Sequence, residues 1–325
     1  MKKIVVIGGG TGTVPVLSGL KKYSDMELSV IVSMTDDGGS NAVVRDEFGL
    51  LPLSDVRKSI IALAETDNQL LRELFTYRFA KGEGLSGHTL GNLMMLALAD
   101  MGGSELIAIQ RLSELFQVKG IIIPVTLGQT NLIAEYYTGQ RIEGEHSIEE
   151  SGIPNLGHVK QLSLSTPVQA YVVAIEAIKE ADIIIAGPGD LYTSVLANII
   201  IPGISAAIVE SQAKFIFINN LMTKYGQTHN FTATDLVGEI TRYSGRKPDV
   251  IVVNNTSFPA HILDKYSERG EYPIIDDLSD KTMEIIRRDI INLVEVNKEN
   301  GDVLMRSLIR HDSQKLSEVL YSVMV

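Results

Sequence analysis

Cysteine is absent from this 325-residue chain. Its absence excludes disulfides, thiolate metal sites and cysteine nucleophiles, and agrees with a reducing compartment. Long apolar runs are missing too. No stretch approaches the ~18 consecutive apolar residues of a membrane span, and the run after Lys2 and Lys3 is too short for a signal-peptide core. Basic residues are in the minority, 29 against 40 acidic, for a formal charge of -11. A field of that sign repels phosphodiester backbones and anionic lipid surfaces, so neither nucleic acid nor membrane is expected as a partner and the expected location is the cytoplasm. The six histidines form no ligand-like pair at helical or hairpin spacing, which argues against a histidine metal centre. No repeat or low-complexity linker interrupts the chain.

What the sequence does contain is an alternation of short β-branched runs with helical patterns. The runs are KIVVI (3–7), LSVIVSM (28–34), IIIPVTL (121–127), DIIIAG (182–187), KFIFINN (214–220) and DVIVVNN (249–255). Continuous apolar strands separated by helices predict an α/β, Rossmann-like fold, with a mostly parallel sheet covered by helices on both faces. Helices are expected from Ser54 and Asp55, across 88–101, and from Thr166 and Pro167 with Val168, Val172, Ile175 and Ile178 on one face. Between 129 and 165 the apolar and polar residues alternate around Thr138 and Gly139, which predicts a small antiparallel insert in a single 1–325 domain.

Polar clusters follow the strands: Gly8 to Gly12, then Thr35, Asp36 and Asp37, then Gly187, Pro188 and Gly189, then Asn219 and Asn220, then Asn254 and Asn255. Strand-to-helix turns need such residues anyway, but in a parallel sheet these ends share one edge, where open α/β sheets bind ligands. The dinucleotide fingerprint Gly-x-Gly-x-x-Gly fails at its third glycine, where Thr13 stands, so a nicotinamide-dependent oxidoreductase is a minor alternative. No Gly-Lys-Ser or Gly-Lys-Thr follows, so Walker-type chemistry is not expected either. The loop Gly9, Gly10, Thr11, Gly12 still presents backbone N–H groups before a helix, which suits a diphosphate.

Other motifs extend this edge. Asp36 and Asp37 could accept ribose hydroxyls, hold magnesium or act as a base, or simply form an Asp-rich turn. Asp55 is a candidate third oxygen ligand, or an ordinary carboxylate at a helix start. Arg57 is a candidate phosphate contact. In SGHTLGN (86–92), His88 could donate to phosphate or shuttle a proton, or cap and pack the helix that also carries Asn92. GPGDLYTS (187–194) reads as a second anion pocket or one wall of the same pocket, built from Gly187, Gly189, Tyr192, Thr193 and Ser194. In RHDSQKL, Asp312 or Ser313 caps a helix and Arg310 precedes it, placed to reach a diphosphate.

Taken together, IGGGTGT, TDDGGS, LPLSDVRKSIIALA, SGHTLGNLMMLAL, ADIIIAGPGDLYTSVLANIIIPGI, INNLMTKYGQT and RHDSQKL resemble, in order and spacing, the gluconeogenesis-factor family. That family is similar to the 2-phospho-lactate transferases of deazaflavin-coenzyme synthesis. The resemblance runs from residue 4 to about 320 and implies a Rossmann-like core, usually dimeric. On the gluconeogenesis-factor side it implies a regulatory protein that binds a nucleotide-diphosphate sugar, uridine diphosphate N-acetylglucosamine, with a role in cell shape and carbon-source adaptation. On the transferase side it implies magnesium-dependent transfer of a phospholactyl group from a guanosine-diphosphate-linked donor to the deazaflavin. Carried over, Gly9, Gly10, Thr11 and Gly12 face the diphosphate, and Asp36 and Asp37 sit by the ribose or cation. Asn219 and Thr223 line the crevice, Arg310 clamps the nucleotide sugar, and Asp55 matches the transferases' cation-holding Asp. Two departures stand out. After TDDGGS the family usually continues Ser-Gly-x-Leu-Arg, where this chain reads NAVVR and keeps Arg45, and Lys58 replaces the usual Asn after Arg57.

Overall fold

The computed structural model describes residues 1–38, 49–66, 68–82, 84–150, 153, 156–293 and 307–324. Its strands are β1 (Lys2–Ile7), β2 (Met26–Val32), β3 (Ile121–Pro124), β4 (Leu132–Tyr136), β5 (Arg141–Glu143), β6 (Val159–Leu164), β7 (Ile183–Ala186), β8 (Lys214–Ile218), β9 (Val250–Asn254), β10 (Glu284–Arg288), β11 (Ile291–Asn292) and β12 (Arg310–His311). Seven of them form one sheet in the order β10-β9-β8-β7-β1-β2-β3. Every neighbouring pair in it is parallel. The chain builds outwards from β1 in one direction, then returns to the other side of β1 with β7. The point of reversal therefore lies between β1 and β7, where such sheets leave a crevice at their carboxyl edge.

Both faces of the sheet are covered, which is why the central strands read as unbroken apolar runs rather than alternating ones. Ile4, Val5, Val6 and Ile7 are at most 2% exposed, and Phe215, Ile216, Phe217 and Ile218 are wholly buried. Among the described residues no single helix is long and apolar enough to cross a membrane.

The C-terminal helix Ser313–Met324 runs along this sheet beside the helix Val14–Leu20. The carbonyls in its last turn have no partner within the helix. Lys214 Nζ donates to the Val323 carbonyl at 2.9 Å and Lys2 Nζ donates to that of Met324, so lysines at the starts of two strands close the helix end. At the other end Ser313 Oγ donates to the Pro15 carbonyl at 2.7 Å, and Asp312 Oδ1 accepts from the amides of Gln314 and Lys315. This anchoring brings Arg310 and His311, just upstream, to the carboxyl edge of the sheet.

A three-stranded antiparallel sheet, β5-β4-β6, stands beside that edge. The short helix Glu145–Glu149 follows β5 and was not foreseen. The helix expected from Thr166 begins instead at Val172. Thr166 is held in the insert, its hydroxyl donating to the Gln129 carbonyl at 2.6 Å while Thr130 Oγ1 donates to the Thr166 carbonyl. The Gln169 carbonyl accepts from Thr126 Oγ1, which keeps the next stretch extended. Strand β10 was also missed. It is an edge strand whose Ile285 and Ile286 are only half-buried between charged residues, too short an apolar run to stand out.

Gly19 lets the two helices meet: a Cβ there would fall inside van der Waals contact of the Ser313 carbonyl oxygen and within 2.6 Å of Ser317 Cβ. Gly19→Ala should destabilise the protein by about 1–3 kcal/mol, the cost typical of overpacking, despite alanine's better helix propensity. Urea denaturation monitored by circular dichroism measures this, and a variant as stable as the parent would show that the helix pair yields freely.

Candidate functional site

The last sheet bond of β1 is donated by the Gly8 amide to the Ile31 carbonyl at 3.2 Å. Beyond it, the amides of Gly9, Gly10, Thr11 and Gly12 have no hydrogen-bond acceptor among the described residues. Gly10 turns the chain with φ +64°, a conformation that disfavours any residue with a Cβ. Thr13 then begins the helix turn, and its methyl carbon lies 2.7 Å from where a Cβ of Gly8 would stand. The threonine that breaks the dinucleotide fingerprint is thus accommodated because Gly8 has no side chain. Across the point of reversal, a Cβ on Gly12 would collide with the Pro188 carbonyl oxygen and come within 2.7 Å of Gly189 Cα. The loops after β1 and β7 therefore touch backbone to backbone and form one floor.

Above this floor is a cavity of about 210 Å³. Gly10, Thr11, Gly12, Gly189, Ser194 and Thr223 line it, as do the cationic side chains of Lys58, Lys224, Arg269 and Arg310. Carboxylates crowd the same space: Asp36, Asp55, Glu145, Glu149, Asp190 and Glu271. Asp55 is 6% exposed in the first turn of the helix Ser54–Leu63, and its Oδ1 accepts from Lys58 Nζ at 3.0 Å.

Glu145 accepts from the Thr35 hydroxyl at 2.8 Å and Glu149 from the Thr193 hydroxyl at 2.8 Å, so the short helix bridges from the end of β2 to the turn after β7. Burial, then the neighbouring Asp36, Glu149 and Asp55, hold the Glu145 carboxyl well above the ordinary range. Burial followed by the charge of Asp190 pushes Glu149 up to about 7. Asp36 is raised by burial and by Asp55, with Lys58 opposing. Burial works against the charge of Lys224, but Asp190, Glu271 and Glu149 outweigh it and raise its pKa. His311 is driven down to about 4 by burial, a hydrogen bond to the Asn219 backbone opposing. It is therefore neutral at pH 7, and its buried Nε2 has no partner among the described residues.

The expected site residues divide into two groups. Gly10, Thr11, Gly12, Asp36, Asp55, Gly189, Ser194, Thr223 and Arg310 border the cavity, with Gly9 immediately behind, where a Cβ would fall 2.4 Å from Asp55 Oδ2. The others are not among the residues that line it. Asp37 Oδ1 accepts from the His146 amide at 2.9 Å and so serves the short helix. Arg57 Nε donates to Asn92 Oδ1 at 2.9 Å, and Asn92 Nδ2 donates to Ser54 Oγ, tying two buried helices together. His88 is buried beside that pair of helices. Tyr192 donates to Glu239 at 2.9 Å on the far side of its turn, and Thr193 holds Glu149. Gly187 supplies the positive φ of the loop without reaching the cavity surface. Asn219 is buried, its Nδ2 donating to the Asn220 carbonyl. Asn254 and Asn255 donate to nearby carbonyls, those of Thr256 and Arg287. Arg45 and the NAVV stretch lie outside the described residues. Sequence reasoning did not single out Glu145, Glu149, Lys224, Glu271 or His311, which reach the cavity from scattered segments.

The profile of the family described as 2-phospho-L-lactate transferase CofD matches residues 4–291. A protein of Aquifex aeolicus is 41% identical over 332 residues, covering all of this chain and 98% of its own. The gluconeogenesis factor of Bacillus subtilis is 35% identical over 328 residues, covering 99% and 98%. The chain belongs to the gluconeogenesis-factor family. A crystal structure of a Bacillus halodurans protein, described as a member of the upf0052 family, superposes with a TM-score of 0.88 at 33% identity, covering 98% of each chain. The parallel sheet and the antiparallel insert are thus features of the gluconeogenesis-factor fold.

Magnesium, implied by the transferase side of this family, can be tested against the residues present. Among the described residues no group of three or more His, Asp or Glu side chains is placed to hold a metal ion. Asp55, the expected ligand, has Oδ1 on the Lys58 ammonium, and its Oδ2 lies 2.4 Å from where a Cβ of Gly9 would stand. The residues do not fit a divalent cation at Asp55.

Glu149 gives this cluster a pH signature. Its carboxyl is raised in the folded state, so the folded protein binds more protons than the unfolded chain between the ordinary glutamate pKa and about 7. Stability from this group is complete below that window and is lost as pH rises through about 7. Glu149→Gln should equal the parent near pH 4.5 and exceed it at pH 8 by on the order of 1 kcal/mol. Thermal melts across that range check this, and a difference independent of pH would contradict it.

Proposed function

We propose that this gluconeogenesis-factor chain binds a nucleotide-diphosphate sugar, uridine diphosphate N-acetylglucosamine, and acts as a regulatory protein in cell shape and carbon-source adaptation. The observation that carries the reading is the row of loop amides from Gly9 to Gly12 without an acceptor among the described residues at the point of reversal, three of whose residues, Gly10, Thr11 and Gly12, border a polar cavity. Backbone N–H groups converging there are suited to the oxygens of a diphosphate. Lys58, Lys224 and Arg310 supply positive charge around them. The neutral His311 and the carboxylates opposite are acceptors and donors of the kind that read sugar hydroxyls. A cytoplasmic homodimer completes the proposal.

The match to the transferase profile favours a second reading, transfer of a phospholactyl group to a deazaflavin. Phosphoryl transfer depends mostly on positioning and needs no protein nucleophile. The ion pair on Asp55 weighs against the magnesium-dependent form of that chemistry.

Saturation with uridine diphosphate N-acetylglucosamine at a hundred times the dissociation constant stabilises the folded chain by about 2.7 kcal/mol, a rise of several degrees in Tm. Gly10→Val, placing a β-branched residue at a positive φ beside the loop amides, should abolish the response. Differential scanning fluorimetry with this nucleotide, guanosine diphosphate with magnesium, the deazaflavin precursor and NAD in parallel separates the readings. Turnover with the deazaflavin, or undiminished affinity in the Gly10 variant, would refute the sensing site.

A further inference from the structure

Lys58 follows Asp55 by three residues, one turn along the helix Ser54–Leu63, so the two side chains share a face. Their ion pair, at 3.0 Å, is largely buried: the side chains are 21% and 7% exposed. The pair abuts the glycine loop. A Cβ on Gly10 would lie 3.6 Å from Asp55 Oδ1 and 3.7 Å from Lys58 Nζ. The ammonium therefore stands beside the amides that have no acceptor among the described residues, with one of its three N–H groups on Asp55 and, among those same residues, two more to offer. A lysine so placed acts on phosphate as a compact point charge.

The same geometry disfavours a dication. Magnesium requires near-octahedral oxygen ligands at about 2.0–2.1 Å and usually keeps several waters. Asp55 Oδ1 already carries the ammonium, and Oδ2 lies 2.4 Å from where a Cβ of Gly9 would stand, which leaves little room for an ion and its waters on that side. A magnesium ion next to Oδ1 would face a positive charge at close range in a poorly solvated cavity.

We infer that the Lys58 ammonium, fixed by Asp55, takes the place of a divalent cation, so that this chain binds a diphosphate without metal and has no magnesium site at Asp55. The inference rests on the diphosphate reading for its ligand, but its metal half stands on the ion pair alone. Two titrations test the halves separately. In the first, manganese is added to the nucleotide-free protein and free ion is counted by electron paramagnetic resonance. The parent should show no site, while Lys58→Asn, which frees Asp55 Oδ1, should gain one, and Lys58→Arg should not. In the second, calorimetry follows uridine diphosphate N-acetylglucosamine binding with magnesium or with EDTA. The parent's affinity should be the same in both, and Lys58→Asn should weaken about tenfold or more in EDTA and recover with magnesium.

A manganese site in the parent, loss of parental binding in EDTA, or a Lys58→Asn variant that gains no metal site each overturns the inference. If no nucleotide binds under any condition, the diphosphate reading fails while the manganese titration still decides whether Lys58 excludes the metal.

Discussion

Gly12 and the Pro188 carbonyl meet across the gap between β1 and β7 at a separation that leaves no room for a side chain at position 12. The loops of the two central strands become one surface because of this approach. It sets where the helix Val14–Leu20 begins, and hence which amides face the crevice. Gly8 serves the same geometry by making room for the Thr13 methyl group. The C-terminal helix, packed on Val14–Leu20 through Gly19, then carries Arg310 and His311 to the rim. A fault at the floor would misplace each of these parts.

The charges above the floor are arranged at a cost to stability. Glu145 and Glu149 are held at raised pKa by burial and by neighbouring carboxylates, and among the described residues their direct neutral partners are the hydroxyls of Thr35 and Thr193. Lys224 offsets part of this at Glu149, and Lys58 does the same for the neighbouring Asp36. Crowded like charges and a buried His311 nitrogen without a partner among the described residues are local conflicts of the kind that persist at functional sites, where the surrounding fold supplies the stability they forgo.

The fold was legible where a single physical signal dominated. Strands such as Ile4–Ile7 and Phe215–Ile218 are buried on both faces, so their sequences are apolar throughout. Gly10, Gly12, Gly187 and Gly189 could be read because strand-end turns with positive φ or close backbone approach need glycine. Other parts left no such mark. The helix Glu145–Glu149 is a single turn, too short for a periodicity, and β10 is a half-buried edge strand. Arg57, Asn92 and Asp37 carry the residue types of a phosphate or ribose site, yet Arg57 Nε, the Asn92 amide and Asp37 Oδ1 hold one element to another. Residue type alone does not distinguish those uses. Glu271 and Lys224 meet only through tertiary packing, which no local pattern reports.

The central claim is that the amides of Gly10 to Gly12 hold paired phosphoryl groups at the point where the sheet reverses. A crystal structure of the protein with uridine diphosphate N-acetylglucosamine tests it most directly. The account predicts diphosphate oxygens at about 2.9 Å from at least two of those amide nitrogens, with Lys58 Nζ turned towards the same oxygens. A nucleotide bound with its diphosphate away from the loop, leaving those amides without an acceptor, would contradict it.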